Sequence, residues 1–157
     1  MAAETAEAQF QSAMAMLAAD KHSPDWGQVA GLIDAAAHSG HAEAIERRAL
    51  LECRGVHRPA NWDKALDSLA LAATSGSQFA ARQLLLLADG RFEPADSVGS
   101  DGADWNEMRS RISLPKLMGP PATRGLMLSN SPIVHAIPGF ASGAECQWLI
   151  ALAEPQG

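Results

Sequence analysis

Trp26 and Trp62 stand 36 residues apart, and the chain repeats itself at that offset. Ala36-Ala37 falls on Ala72-Ala73, Ser39-Gly40 on Ser75-Gly76, Ala44 on Ala80, and Leu50-Leu51 on Leu86-Leu87. A period of this length suits a pair of helices joined by a tight turn, a unit too small to bury its own apolar face. Each unit therefore needs a neighbour, and stacking supplies the core that no single pair owns. The first half of the chain is thereby expected to be an array of antiparallel helix pairs of the α-solenoid type.

Local signals place the helices. Ser23 is a capping residue with Pro24 at the first helical position, where its fixed φ suits the start. Alanine-rich periodicity then runs to His38, and Gly40 stands where a left-handed residue closes a helix. The next helix spans His41 to Cys53 and stops near Gly55, with Ala42, Ile45, Ala49 and Cys53 on its inner face. Asn61 caps another, with Trp62, Ala65, Leu66, Leu69 and Ala73 inward and Gly76 as the stop. A further helix carries Ala80, Ala81, Leu84, Leu85 and Leu87 and ends near Gly90. A leading helix, from about Glu4 to Ala19, packs in front. The alanines let neighbouring helices approach closely, and both tryptophans are expected in the core.

Composition narrows the function classes. Of 157 residues 47% are hydrophobic, enough for a packed core, and 18 acidic against 12 basic side chains give a net charge of −6. The basic residues are scattered, with Arg47-Arg48 the one adjacent pair, so a phosphate-tracking surface and a nucleic-acid partner are not expected. No apolar run reaches the roughly 18 residues that a membrane-spanning helix needs. The acidic start MAAETAEAQF lacks the basic and apolar regions of a secretory signal. Cys53 and Cys146 then read as reduced thiols packed as small hydrophobes, and the cytoplasm is the expected compartment.

The second half reads differently. Asp89 to Asp104 is rich in Gly, Asp and Ser and is expected to be a flexible joint. Trp105 to Ile112 suits a short helix capped by Asp104, and Pro115, Pro120 and Pro121 interrupt regular structure after it. A strand signal covers Pro132 to Ile137, a turn comes next at Pro138-Gly139, and Ser142 with Glu145 forms a capping box before Cys146, Leu149, Ile150 and Ala153. One strand and one helix cannot bury each other's apolar faces. The segment therefore reads as the opening of a larger domain. The repeat helices close their own core and are expected to leave no place for it. The expected division is residues 1–88 as helical repeats, 89–104 as linker and 105–157 as the start of a second domain.

Candidate chemistry is sparse. Among His22, His38, His41, His57 and His135, only His41-Ala42-Glu43 fits an H-x-E ligand pattern. On a helix those two side chains point about 200° apart and do not converge on one metal. His38 and His41 bracket a helix turn without further ligands, and His135 lies on the strand, facing away from Val134 and Ala136. Cys53 and Cys146 fall on apolar helical faces, which dulls a thiol. The G-x-S-x-G elbow and the glycine-rich phosphate loops are missing, and Asp101 to Asp104 does not make a calcium loop. No catalytic, cofactor-binding or metal residue is assigned.

Two family resemblances rest on these residues. Trp62-Asp63-Lys64-Ala65, Ala72-Ala73-Thr74-Ser75-Gly76 and the Ala80 to Leu84 run resemble the Sel-one-like repeats, relatives of the tetratricopeptide repeats. Leu51 and a lone Gly55 stand where that family has a tyrosine and a Gly-x-Gly turn, so the first repeat is degenerate. The resemblance implies a scaffold for a protein or peptide partner. Trp105 to Ile112, Pro120-Pro121, Ser131-Pro132-Ile133-Val134 and the Pro138 to Ile150 run resemble the N-terminal edge of prolyl 4-hydroxylase-like oxygenases. That resemblance implies a double-stranded β-helix domain using Fe(II) and 2-oxoglutarate, with ascorbate as an accessory, to hydroxylate a protein side chain. The iron triad and the cosubstrate anchor of that family lie beyond Gly157. The chain is accordingly expected to be an inactive N-terminal portion of such a dioxygenase. The alternative expectation is a complete helical-repeat interaction protein, with Leu149 and Ile150 buried against the repeats.

Overall fold

The computed structural model describes residues 2–19, 24–92, 103–117, 119 and 125–153. Among these the chain is mainly helical: α1 (Ala2–Ala19), α2 (Trp26–His38), α3 (Ala42–Arg54), α4 (Trp62–Thr74), α5 (Gln78–Asp89), α6 (Trp105–Arg111), α7 (Leu114–Leu117) and α8 (Gly143–Ala153). One small antiparallel sheet pairs β1 (Leu126–Asn130) with β2 (Ile133–Ala136).

The 36-residue period governs the helix ends as well as the composition. Asp25 Oδ1 accepts the Gln28 N–H at 3.1 Å, and Asn61 Oδ1 accepts the Lys64 N–H at 2.9 Å. His41 Nδ1 accepts the Ala44 N–H at 3.2 Å, and Ser77 Oγ accepts the Ala80 N–H at 3.1 Å. The cap side chains thus change identity while their place in the period does not. Ser23 lies outside the described residues, and the first helix of the repeat begins at Trp26, not Pro24. Asp25 takes over the cap because its carboxylate reaches the third helical N–H. Between paired helices, Gly40 (φ +83°) and Gly76 (φ +98°) carry the left-handed turn. It lets the His41 and Ser77 N–H groups reach back to Ala36 O and Ala72 O at 3.2 and 2.9 Å.

Each of α1 to α5 packs on the next in sequence, giving packed helix pairs. The inner face of α3 is Ala44, Ile45, Ala49 and Leu51, while Ala42 and Cys53 are half-buried at its margin. The helix serves two neighbours, α2 and α4, and its buried stripe turns to meet both. The leading helix also belongs to the period: Ala6-Glu7-Ala8 recurs as Ala42-Glu43-Ala44, and Ala13 as Ala49. α1 packs on α2 as α3 packs on α4.

The expectation that both tryptophans are core residues is corrected. Trp26 and Trp62 are 40% and 45% exposed. Each is the first residue of its helix, and the buried positions lie three to four residues further on, at Val29 and Ala30 and at Ala65 and Leu66. Helices brought close by alanine leave no slot for an indole between them.

Residues 93–102 of the expected joint lie outside the described residues. On either side, Gly90 closes α5 and Asp104 caps α6, accepting the Asn106 and Glu107 N–H groups. α6 returns to α4 and α5, so Trp105 and Ile112 join the core around Phe10, Ile45, Leu69 and Leu84. Arg109 clasps Asp67 and Asp63 of α4, each at 2.9 Å, and Arg111 pairs with Asp89.

The predicted strand is β2, and its partner β1 had no counterpart in the sequence reading. Leu126 pairs with Ala136 and Asn130 with Ile133, with an irregularity between Met127 and Ser129. The capping box forms: Ser142 N–H donates to Glu145 Oε2 at 2.6 Å and Glu145 N–H to Ser142 Oγ at 3.2 Å. The face that α8 buries is not the predicted one. Cys146, Leu149 and Ile150 are exposed and Trp148 is buried. Its ring packs on Phe79 with centroids 5.1 Å apart, and the Arg82 guanidinium sits 4.9 Å above it. The repeat helices therefore do offer a place for the tail, and a single indole fills it.

Candidate functional site

Two grooves cut the helical surface, and the repeat relates them. The first, about 580 Å³, lies between α1, α2 and α3 and is lined by Met14, Trp26, Ile33, Leu50 and Leu51. The second, about 300 Å³, lies between α3, α4 and α5 and is lined by Leu50, Trp62, Leu69, Leu86 and Leu87. Each of these five residues stands 36 positions after its counterpart in the first groove. Leu50 forms the ridge between the grooves and lines both. The grooves arise from geometry: the tryptophan at each helix start stands off the core, and the step between adjacent helix pairs leaves an apolar floor beside it.

The grooves differ in what edges them. Arg47, Arg54 and His57 edge the first. Gln83 takes the place of Arg47 in the second, where Trp148 of α8 forms part of the wall. A further cavity of about 670 Å³ opens between the Ser75-Gly76 turn and α6. Its acidic side chain, Asp104, is spent on capping α6. The sequence reading missed the grooves because it placed the tryptophans inside. The offset that carries Met14 onto Leu50 was the available signal.

The structure disperses the histidines. His41 caps α3 with Nδ1, its Nε2 meets Glu7 Oε2 at 2.7 Å, and its ring packs 4.7 Å from Phe10. Glu43 is exposed on the first turn of α3. His38 Nδ1 bonds the Asp34 carbonyl one turn back at 2.6 Å, and His135 is exposed opposite Met127 in the ribbon. His57 has a left-handed backbone, φ +54°, and lines the first groove. His22 and residues Asp101 and Gly102 lie outside the described residues. Among the described residues no three His, Cys, Asp or Glu side chains converge on a metal position. They do not form a site for the iron implied by the oxygenase resemblance.

Three groups have displaced pKa values. Gln11 and then His41 hydrogen-bond the Glu7 carboxylate and hold it below its ordinary range. The Ser142 N–H and hydroxyl do the same for Glu145. Burial pushes the Cys53 thiol up, as its half-buried helical position requires. Cys146, expected on a buried face, is exposed. No described helix is long and apolar enough to cross a membrane.

No family model, curated protein or solved structure matches the chain. What it shares with helical-repeat proteins is the packed helix pairs themselves.

Proposed function

We propose that the helices form a Sel-one-like, solenoid-type module that binds a protein or peptide segment through its grooves. The observation that carries this reading is the pair of repeat-related apolar grooves, each with a half-exposed tryptophan at its rim. Aromatic rings held at a rim beside an apolar floor supply contact area at low entropic cost, which is how peptide grooves gain affinity. An indole from another part of the chain already forms part of the second groove's wall. The module recruits its ligand in a cytoplasmic setting, in keeping with two free thiols.

C-terminal to the module, the ribbon and α8 are the opening of a prolyl 4-hydroxylase-like 2-oxoglutarate/Fe(II) dioxygenase domain, for which the module presents a substrate. The exposed Leu128, Ile133, Phe140, Leu149 and Ile150 favour this over an interaction module alone, since the sheet of such a domain would cover them.

Selection of a random peptide library on the immobilised chain tests the module. Saturable binders weakened by Trp26→Ala or Trp62→Ala are expected; the absence of any binder over the bare matrix refutes it. With added Fe(II), ascorbate and 2-oxoglutarate the chain should form no succinate. Turnover above a protein-free control would place an oxygenase site within these residues instead.

A further inference from the structure

We infer that the first groove is a cation-edged seat for a peptide helix bearing a large apolar side chain and two carboxylates seven residues apart. The inference rests on the reading of the repeats as a binding module and names its ligand. The floor, Met14, Leu17 and Ile33, is apolar, Trp26 stands at the rim, and among the lining residues the charged ones are Arg47 and Arg54, with His57 beside them and no carboxylate. In a chain of net charge −6 this is a local inversion of sign.

Arg47 and Arg54 are also distinguished by their partners. Arg48, Arg58, Arg109 and Arg111 are matched to Glu52, Asp34, Asp63 with Asp67, and Asp89. Among the described residues neither Arg47 nor Arg54 has a carboxylate at ion-pair distance. The nearby acids are Glu43 and Glu46, which line a separate cavity together with Arg47, and Glu46 accepts the Ser77 hydroxyl there at 2.8 Å. Seven residues along one helix are two turns, so the Arg47 and Arg54 Cα atoms are set about 10 Å apart along one side of α3. A ligand helix with acidic residues at i and i+7 matches that spacing.

The ligand is a foreign helix and not α8 of a second copy. Trp148 sits on Phe79 and beneath Arg82, and the period places Glu43 and Glu46 at the corresponding positions of the first repeat. A swapped α8 would lose both its aromatic partner and its cation. It also carries one acid, Glu145, where the seat asks for two. What α8 does supply is the precedent that a helix from elsewhere sets a bulky side chain against this array, at the edge of a groove.

Fluorescence anisotropy with stapled helical peptides of about four turns tests this on the whole chain. Three peptides share one Leu/Phe face and carry Glu, Gln or Lys at the two positions seven apart. The Glu peptide should bind, the Gln peptide about tenfold more weakly, as two exposed charge pairs supply, and the Lys peptide least. The double variant Arg47→Glu/Arg54→Glu should reverse the order in favour of Lys, a gain that a misfolded variant does not give. Trp26→Ala should weaken the Glu peptide and Trp62→Ala should not. Equal binding of all three peptides refutes the charge recognition, and loss with Trp62→Ala alone moves the seat to the second groove; both leave the module reading standing. Failure of all three, beside library binders that do recognise the chain, overturns this inference only; failure of both experiments overturns the module as well.

Discussion

Replacing Trp148 with alanine should release α8 from the repeats without unfolding them. α8 has 11 residues, below the roughly 12–15 at which an isolated helix holds itself in water. Its other large apolar side chains are exposed, so its anchorage is one indole set against Phe79 and Arg82. Burying a tryptophan removes about 150–250 Å² from water, or roughly 4–6 kcal/mol at 25 cal/mol per Å². The alanine that remains and the burial already present in the unfolded chain reduce the loss to about 2–4 kcal/mol. Amide hydrogen exchange reads this directly. Protection of Cys146 to Ala153 should fall by about 30-fold or more, to no lower than the rate of an unfolded peptide, at about 1.4 kcal/mol per decade. The amides of α2 to α5 should keep theirs, because the core around Ile45, Leu69 and Leu84 does not include Trp148. Unchanged protection across α8 would show that the indole is not its anchor. A parallel loss in α4 and α5 would show that α8 belongs to one cooperative core, and either result refutes the reasoning.

Leu84→Ala should cost about 2–5 kcal/mol and Leu71→Ala under about 1, read from denaturant midpoints, because Leu84 is fully buried and Leu71 is 46% exposed. Cys146 should be alkylated by iodoacetamide well before Cys53 at pH 8, since burial raises the Cys53 pKa and lowers its thiolate fraction. Equal rates would contradict the assignment of the two helix faces. Glu145 is held below its ordinary pKa by the Ser142 N–H and hydroxyl, so its support of α8 is full above the ordinary carboxylate range and fades as pH falls through the lowered folded value. Exchange across α8 should show that fading, and Glu145→Gln should remove the pH dependence.

Much of the helical half was legible because its determinants are local. A cap is satisfied three residues on, and a left-handed glycine closes a turn within six, so Asn61, Gly40, Gly76, Asp104 and the Ser142–Glu145 box could be placed from their neighbours alone. The period was legible for the same reason, being a recurrence of identical local solutions. β1 was not, since a ribbon strand is defined by its partner: Leu126 to Asn130 carries no alternation that announces Ile133 to Ala136 opposite it. The candidate site was half legible. Its residues recur at the offset already noticed, but a groove needs three helices at once, and Met14, Trp26 and Leu50 meet only after α1, α2 and α3 have packed.

The sequence by itself therefore determined where helices begin, where they end and that they come in pairs. Tertiary structure decided which tryptophans face water. Trp26 and Trp62 look like core residues and stand at groove rims, while Trp148, on a segment expected to stay apart, is buried. It also decided that Trp105 and Ile112 join the core of the repeats. The physical reason is that hydrogen bonds at caps and turns are closed within a few residues, whereas burial depends on what arrives from elsewhere in the chain.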